Sequence, residues 1–252
     1  MKISFVIPAY NEEVMLPQCL ESILAEIVRT PCEAEVVVVN NASTDSTKEI
    51  AMRYPGVVVL DEPIKGPVWA RKKGFENTNG ELVAILDADI IMPQGWLATA
   101  LQEFESNAKM VALTGPYVYY DLPAFARFSV RFFYFVGWVW HVFIQYALRA
   151  GGQMQGGATI QGGNVVVRRE ALVRAGGFDT SIEFYGDDTD LARRLSHVGV
   201  IKWTWKLPML SSGRRLKAEG ILAMSYKYTI NYLWVTFLGK PYTRAYKDIR
   251  PR

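Results

Sequence analysis

Glu35-Val36-Val37-Val38-Val39-Asn40-Asn41-Ala42-Ser43-Thr44-Asp45 sets four consecutive valines directly before a loop of small polar residues. An unbroken β-branched run shows no polar face to water, so it reads as a strand covered on both sides, as in a parallel sheet between helices. The loop's short side chains can accept from free backbone N–H groups, which predicts a helix beginning near Ser46.

Working outward, Lys2 to Ile7 is a second buried strand closed by Pro8, and Leu16, Leu20, Ile23, Leu24 and Ile27 recur at helical spacing. That spacing predicts a helix from about Glu13 to Val28. Val57 to Leu60 reads as a strand, Val68 to Asn77 as a helix and Leu82 to Leu86 as the next strand. This alternation predicts an α/β fold with a mostly parallel central sheet covered by helices. Asp87-Ala88-Asp89 follows the last of these strands, at the edge where the loops of open sheets gather around ligands.

Further on, a helix is expected from Pro93 to Phe104, with strands at Met110 to Leu113, Val118 to Tyr120 and Val165 to Val167. A short helix from Glu170 to Ala175 stops at Gly176-Gly177, and Gly186-Asp187-Asp188-Thr189-Asp190 precedes a helix carrying Leu191, Leu195 and Val198. Between these lies Ala126 to Arg149, where Arg127, Arg131, Tyr134, Trp138, His141, Gln145 and Arg149 recur by threes and fours in an otherwise apolar stretch. It predicts a long apolar helical insertion at about 126–149 with one narrow polar stripe. At ~1.5 Å per residue it is long enough to reach across a bilayer. A crossing, however, would place the two halves of one domain on opposite faces, whereas a helix lying in the interface would not. A protein-buried helix or a dimer contact is the alternative. Gly151-Gly152 and Gly156-Gly157 read as bracketing a flexible connection.

The formal net charge of +3 conceals an asymmetry: Lys202 to Arg252 holds eleven Lys or Arg against two acids, net +9. Such a basic end suits anionic lipid heads, phosphates or nucleic acid. Nucleic acid is not expected, because the aromatics concentrate in the long helix and form no identifiable base-stacking surface. Cys19 and Cys32 fit neither a zinc cluster nor a disulfide scaffold. The start Met1 to Tyr10 runs into a strand without a basic leader, so the cytoplasmic side is the expected compartment.

Two acidic groups carry the chemistry. Asp87 and Asp89, one small residue apart at a strand end, can both turn toward a hard divalent cation that neutralises a diphosphate, or can form a solvated acidic turn. Asp187, Asp188 and Asp190 lie close enough that repulsion can raise the proton affinity of one into the range of a general base. Capping the following helix is the structural alternative. His141 and His197 attract little catalytic weight.

Taken together, these stretches are specific. Val6-Ile7-Pro8-Ala9-Tyr10-Asn11-Glu12, Val39 to Thr47, Ala70-Arg71-Lys72-Lys73-Gly74 and Leu86-Asp87-Ala88-Asp89 match, in order and spacing, the family-2 glycosyltransferases with the GT-A fold. So do Gly163-Asn164, Arg168-Arg169, Gly176-Gly177-Phe178-Asp179 and Gly186 to Leu191, and the chain resembles that family over about Lys2 to Pro208. The resemblance implies that Pro8, Tyr10 and Glu12 line a nucleotide pocket, that Asn41 stands where an Asp often reads the base, and that Arg71 contacts the nucleotide. It further implies that Asp87 and Asp89 bind nucleotide and metal, Mg²⁺ or Mn²⁺, and that Asp188, supported by Asp187, is the base. Arg214 or Arg215 would approach the diphosphate. An Asn at 41 both donates and accepts where Asp only accepts, which leaves the choice among uracil, guanine and thymine open.

The expectation is therefore an inverting, metal-dependent glycosyltransferase using a nucleoside-diphosphate sugar and a lipid-linked or saccharide acceptor. Its catalytic domain would be 1–210 and its basic aromatic extension 211–252, peripheral on the inner face of the cell membrane, with a homo-oligomer allowed. The competing reading is a non-catalytic, membrane-associated sugar-nucleotide binding or scaffold protein.

Overall fold

Strand β1 (Ile3–Ala9), helix α1 (Leu16–Arg29), strand β2 (Ala34–Asn40), helix α2 (Thr47–Ala51), strand β3 (Val57–Asp61), helix α3 (Pro67–Glu76) and strand β4 (Leu82–Leu86) follow one another in a computed structural model. It describes residues 1–150, 159–243 and 248–250, apart from the side chains at 138, 140–142 and 144–150. Strand β5 (Ile90–Ile91), helix α4 (Trp96–Ser106), strands β6 (Met110–Thr114) and β7 (Tyr117–Tyr119), and helix α5 (Ala124–Ala150) come next. Strand β8 (Asn164–Arg168), helices α6 (Arg169–Arg174) and α7 (Asp187–Ser196), strands β9 (Val200–Trp203) and β10 (Met209–Ser211), and helices α8 (Arg214–Glu219) and α9 (Ile221–Leu238) complete the described elements.

Among the described residues the main sheet has seven strands in the order β3-β2-β1-β4-β8-β6-β9. Only β8 runs antiparallel to its neighbours β4 and β6, so the sheet is mostly parallel. The apolar runs divide by strand period. Phe5, Leu82, Ala84 and Leu86 pack with α1 and α4, whereas Val6, Val83 and Ile85 pack with α6 and α7. Val36 to Val39 are all buried, as an unbroken valine run in a doubly covered strand requires. A second sheet, β5-β10-β7, stands at the carboxyl ends of the parallel strands.

The long apolar helical insertion expected at about 126–149 needs correction. Helix α5 occupies that stretch, but among the described residues no helix is long and apolar enough to cross a membrane. Arg127 and Arg131 interrupt its apolar residues, and Val130, Phe133, Tyr134, Val136 and Gly137 line the central cleft, so α5 is a wall of the fold. The lower half of the expected polar stripe, from Trp138 through His141 and Gln145 to Arg149, and the glycine-bracketed connection at 151–157 lie outside the described residues and side chains. A smaller difference concerns Asp187, Asp188 and Asp190, which form the first turn of α7 and do not precede it. Gly186, at φ 90°, breaks the chain just before them, and acids suit the positive end of a helix.

Helix α3 lies close on β1 and β2 because Gly74 faces the sheet; a Cβ there would collide with Val6 and stand 3.1 Å from Val39 Cγ2. Gly74→Ala is expected to destabilise the fold by about 1–3 kcal/mol through overpacking, more than the ~1 kcal/mol that alanine returns in helix propensity. Urea unfolding checks this: the midpoint falls while the slope stays constant.

Candidate functional site

The loops after β1 and β2 are stapled to each other. Asn11, at φ 49°, accepts on its side-chain Oδ1 from Thr44 N–H at 2.8 Å, while its backbone N–H donates to Ser43 Oγ at 3.1 Å. The Glu12 N–H donates to Thr47 Oγ1 at 2.7 Å, and Asp45 accepts from Thr47 N–H at 3.0 Å. The small polar loop therefore serves less as a helix cap than as a clasp that fixes Tyr10 and Glu12. Ser46 itself makes no capping side-chain bond.

Asp87 and Asp89 leave the end of β4 on either side of buried Ala88. Tyr117 donates to Asp87 Oδ2 at 2.9 Å, and Arg71 Nη2 lies 3.6 Å from Asp87 Oδ1. The chain entering β8 passes so close to this carboxylate that only glycine fits at 163, where a Cβ would overlap it. Arg71, buried, also donates to Asp187 and so joins the end of β4 to the start of α7. Asp188 accepts from Thr189 N–H at 2.7 Å. Asp190 faces away and holds Arg193 at 3.0 Å and Arg194 at 2.7 Å, an ordinary structural use of an acid in a first turn. Burial and the neighbouring Asp187 push Asp188 up to about 7, against the weaker opposing pull of the Thr189 hydrogen bond and the Arg71 charge. Burial likewise pushes Asp89 up to about 7, with Arg214 opposing and Asp87 assisting.

These groups share a cavity of about 1380 Å³ lined by Pro8, Tyr10, Asn41, Arg71, Asp87, Asp89, Asp187, Asp188, Arg214 and Arg215. Glu12 lies behind the lining, buried, paired with Arg214 and with Arg250 Nε at 2.8 Å. Arg214 Nη2 is 3.1 Å from Asp89 Oδ2. Arg215 turns elsewhere, with Nη1 2.8 Å from Glu219 Oε1 and its guanidinium 4.6 Å from the Phe184 ring centroid. Asn41 donates to Glu62 O at 3.1 Å and Ile64 O at 2.7 Å and accepts from Gly66 N–H. Both its donors are thus committed to the 62–66 loop, and only a lone pair of Oδ1 is left for another partner.

Sequence reasoning did not find Lys65, Tyr117, Tyr119, Tyr134, Tyr228 or Arg250, all of which line the cavity. Tyr117 and Tyr119, two apart on a strand and therefore on one face, were detectable by period alone. Lys65, just before the Gly66-Pro67 start of α3, carried the mark of a strand-end loop. Arg250 carried no local signal.

The donor set decides what a cation would find here. Among the described residues no group of three or more His, Cys, Asp or Glu could hold a metal ion. Asp87 and Asp89 supply hard oxygens of the kind that bind Mg²⁺ or Mn²⁺ through one or two carboxylates, with substrate phosphates and water completing the shell. The residues fit a cation shared with a diphosphate; they do not make a protein-only site.

Comparison with known proteins bears on this geometry. The family described as Glycosyl transferase family 2 matches residues 4–176. Over 119 residues the chain is 37% identical to a dolichyl-phosphate beta-glucosyltransferase of Trichomonas vaginalis, covering 43% of this chain and 35% of that protein. Over 236 residues it is 25% identical to the probable glycosyltransferase YdaM of Bacillus subtilis, covering 82% of this chain and 52% of that one. The chain spans about half or less of the length of these curated relatives. In fold it is similar to a mannosyltransferase from Pyrobaculum calidifontis solved with GDP-Man and Mn²⁺, at TM-score 0.68 and 20% identity, covering 94% of this chain and 63% of that one.

The buried acid has a consequence for stability. Because Asp188 is raised above its ordinary value, folding favours its protonated form; that contribution is complete below about pH 4 and is lost as pH rises through about 7. Asp188→Asn keeps an acceptor for Thr189 N–H without a charge. It is expected to unfold at a higher temperature than the parent at pH 8, with the difference shrinking as pH falls and vanishing near pH 4, as differential scanning calorimetry across that range would show.

Proposed function

The chain belongs to glycosyl transferase family 2, and on that premise we propose that it transfers a sugar from a nucleoside-diphosphate sugar to a hydroxyl or phosphate acceptor with inversion at the anomeric carbon. The observation that carries this reading is the pairing of two acid groups in one cavity: Asp87 and Asp89 on one side, Asp187 and Asp188 on the other, with Arg71 between them. A protein that only bound its ligand would have no use for a second, proton-holding carboxylate facing the first.

In this reading Pro8, Tyr10 and the free lone pair of Asn41 receive the nucleoside, and Arg214 meets the diphosphate as it gives up Asp89. Asp87 and Asp89 would hold Mg²⁺ or Mn²⁺ together with the diphosphate, and the cation would supply charge neutralisation for the leaving group. Asp188 takes the proton of the acceptor hydroxyl as that oxygen bonds to the anomeric carbon. The bond from that carbon to the diphosphate oxygen breaks with its electron pair leaving on the nucleoside diphosphate. Arg71 keeps Asp187 paired, and its buried cation lies near the negative charge that Asp188 carries until it takes the proton. Residues 1–210 carry these groups apart from Arg214 and Arg215, which extension 211–252 contributes.

The test is release of nucleoside diphosphate from a panel of UDP-, GDP- and dTDP-sugars with Mg²⁺ or Mn²⁺, with and without polyprenyl-phosphate or saccharide acceptors. Turnover should rise with pH through about 7 as Asp188 loses its proton. Asp188→Asn should lose roughly 10²-fold or more in turnover with donor binding retained, and Asp89→Asn should lose most transfer while its circular dichroism spectrum shows the fold intact. Donor binding without turnover under every acceptor would favour the scaffold reading.

A second observation favours peripheral contact with an anionic membrane, on the side the cytoplasm would occupy. Phe125, Phe128, Phe132 and Phe135, exposed by 82%, 69%, 55% and 53%, make a helical stripe on α5, and Arg127 and Arg131 flank it. Apolar rings with neighbouring cations suit a lipid interface, and the dolichyl-phosphate named for the Trichomonas relative is a lipid acceptor that such contact would bring to the cleft. Flotation with acidic liposomes should be strong at low salt and fall as salt rises. A stable dimer by sedimentation, dissociated by changing Phe132 and Phe135 to Ser, with no flotation, would assign the stripe to a protein partner.

A further inference from the structure

We infer that Arg250 is a donor-binding residue that takes the diphosphate of the nucleoside-diphosphate sugar, on a segment far from the residues that match the family. The inference rests on the cavity being the donor pocket.

Residues 248–250 lie at one wall of the cavity and touch two lining residues, Lys65 and Tyr10, and Glu12 behind them. Asp248 Oδ2 is 2.7 Å from Lys65 Nζ, which in turn donates to the Tyr10 hydroxyl at 2.8 Å and lies 4.0 Å from that ring's centroid. Arg250 Nε donates to Glu12 Oε1 at 2.8 Å, and its guanidinium carbon is 5.7 Å from the Tyr10 ring centroid. The Asp248–Lys65 pair fastens the segment; Arg250 reaches inward.

Glu12 has two cationic partners. Arg214 and Arg250 both donate to the one oxygen Oε1, while Oε2 is buried without a hydrogen-bond partner among the described residues. Arg214 is shared with Asp89 at 3.1 Å, so two guanidiniums face two carboxylates here, and Glu12 keeps Arg214 as a partner when Arg250 turns to a ligand. Arg250 uses only Nε there. Its two Nη groups have no hydrogen-bond partner among the described residues, and the side chain is 26% exposed at the cavity wall. A planar guanidinium with two free N–H-bearing ends matches a pair of phosphate oxygens. Arg214, which shares Glu12 Oε1 with Arg250, lies 3.1 Å from Asp89 Oδ2, and that places Arg250 toward the diphosphate end of the pocket.

The experiment is calorimetric titration of the whole chain with UDP, GDP and dTDP in the presence of Mn²⁺ or Mg²⁺ and without acceptor, repeated at two salt concentrations. Arg250→Ala should weaken binding of the preferred diphosphate by about tenfold or more, the loss of one charge-assisted contact, and should flatten the dependence of affinity on salt. Arg250→Lys should restore part of the affinity and the salt slope, and Asp248→Asn should weaken binding by a smaller factor. A wall residue without phosphate contact predicts a loss with the salt slope unchanged, and that outcome overturns the inference. Unchanged or tighter binding by Arg250→Ala also overturns it, the latter identifying the segment as an obstruction. If the parent binds none of the diphosphates, the donor-pocket reading itself falls and this inference with it; if the parent binds and Arg250→Ala binds equally, only this inference falls.

Discussion

Glu12, Asp87, Asp89, Asp187 and Asp188 converge on one cleft, and like charges ~4 Å apart repel by about 4 kcal/mol at an effective dielectric of about 20. The cleft is stable because three guanidiniums are threaded among the acids. Arg71 lies between Asp87 and Asp187, Arg214 between Glu12 and Asp89, and Arg250 on Glu12. Among the described residues Asp188 has no paired guanidinium, and burial and Asp187 leave it with its proton up to about 7. The tertiary arrangement follows from this compensation: α3 must lie where Arg71 can reach both the end of β4 and the start of α7, and Gly74 lets it lie that close.

The central sheet was legible because its strands are written in runs that only double burial explains. Val36 to Val39 and Leu82 to Leu86 admit no other placement, and the loops that follow them had to reach the ligand edge. The acids were visible as clusters, but their division of labour was not. Asp190 is separated from Asp187 and Asp188 by helix geometry, since it turns toward Arg193 and Arg194 three and four residues on. Asn41 illustrates a different limit. Read as a residue type it donates and accepts, yet the 62–66 loop commits both its donors and leaves it an acceptor, as an Asp would be. Helix α5 shows the opposite error: its composition was read as an apolar insertion because the sequence alone does not reveal that one face belongs to a cleft. Contacts between Arg250 and Glu12 join residues too far apart along the chain for any local pattern to announce them.

The family match ends at residue 176, so it takes in the sheet through β8, the clasped loops and Asp87 and Asp89, but not Asp188, Arg214 or Arg250. The two portions are constrained differently. In the matched portion, sheet register fixes each loop to within a residue, because shifting a strand by one would turn its buried face outward. Beyond it, the site is built by α7 and α8, which pack on α9, and by the 248–250 segment, which is fastened to Lys65.

Strand β8 runs against its neighbours, and that reversal places its first residue, not its last, at the ligand edge beside Asp87. Strand β7, which pairs with β10 next to β5, lies at the same edge. The chain therefore leaves the body of the fold at β7 and rejoins it at β8 on one side, with α5 in the interval. An excursion anchored at both ends on a common rim can be lengthened, shortened or exchanged without altering the pairing of any strand in the main sheet. The part of the protein that forms one wall of the cavity is thus topologically separate from the strand that ends at Asp87 and Asp89. Variation in what the cleft accepts can accumulate in one without disturbing the other.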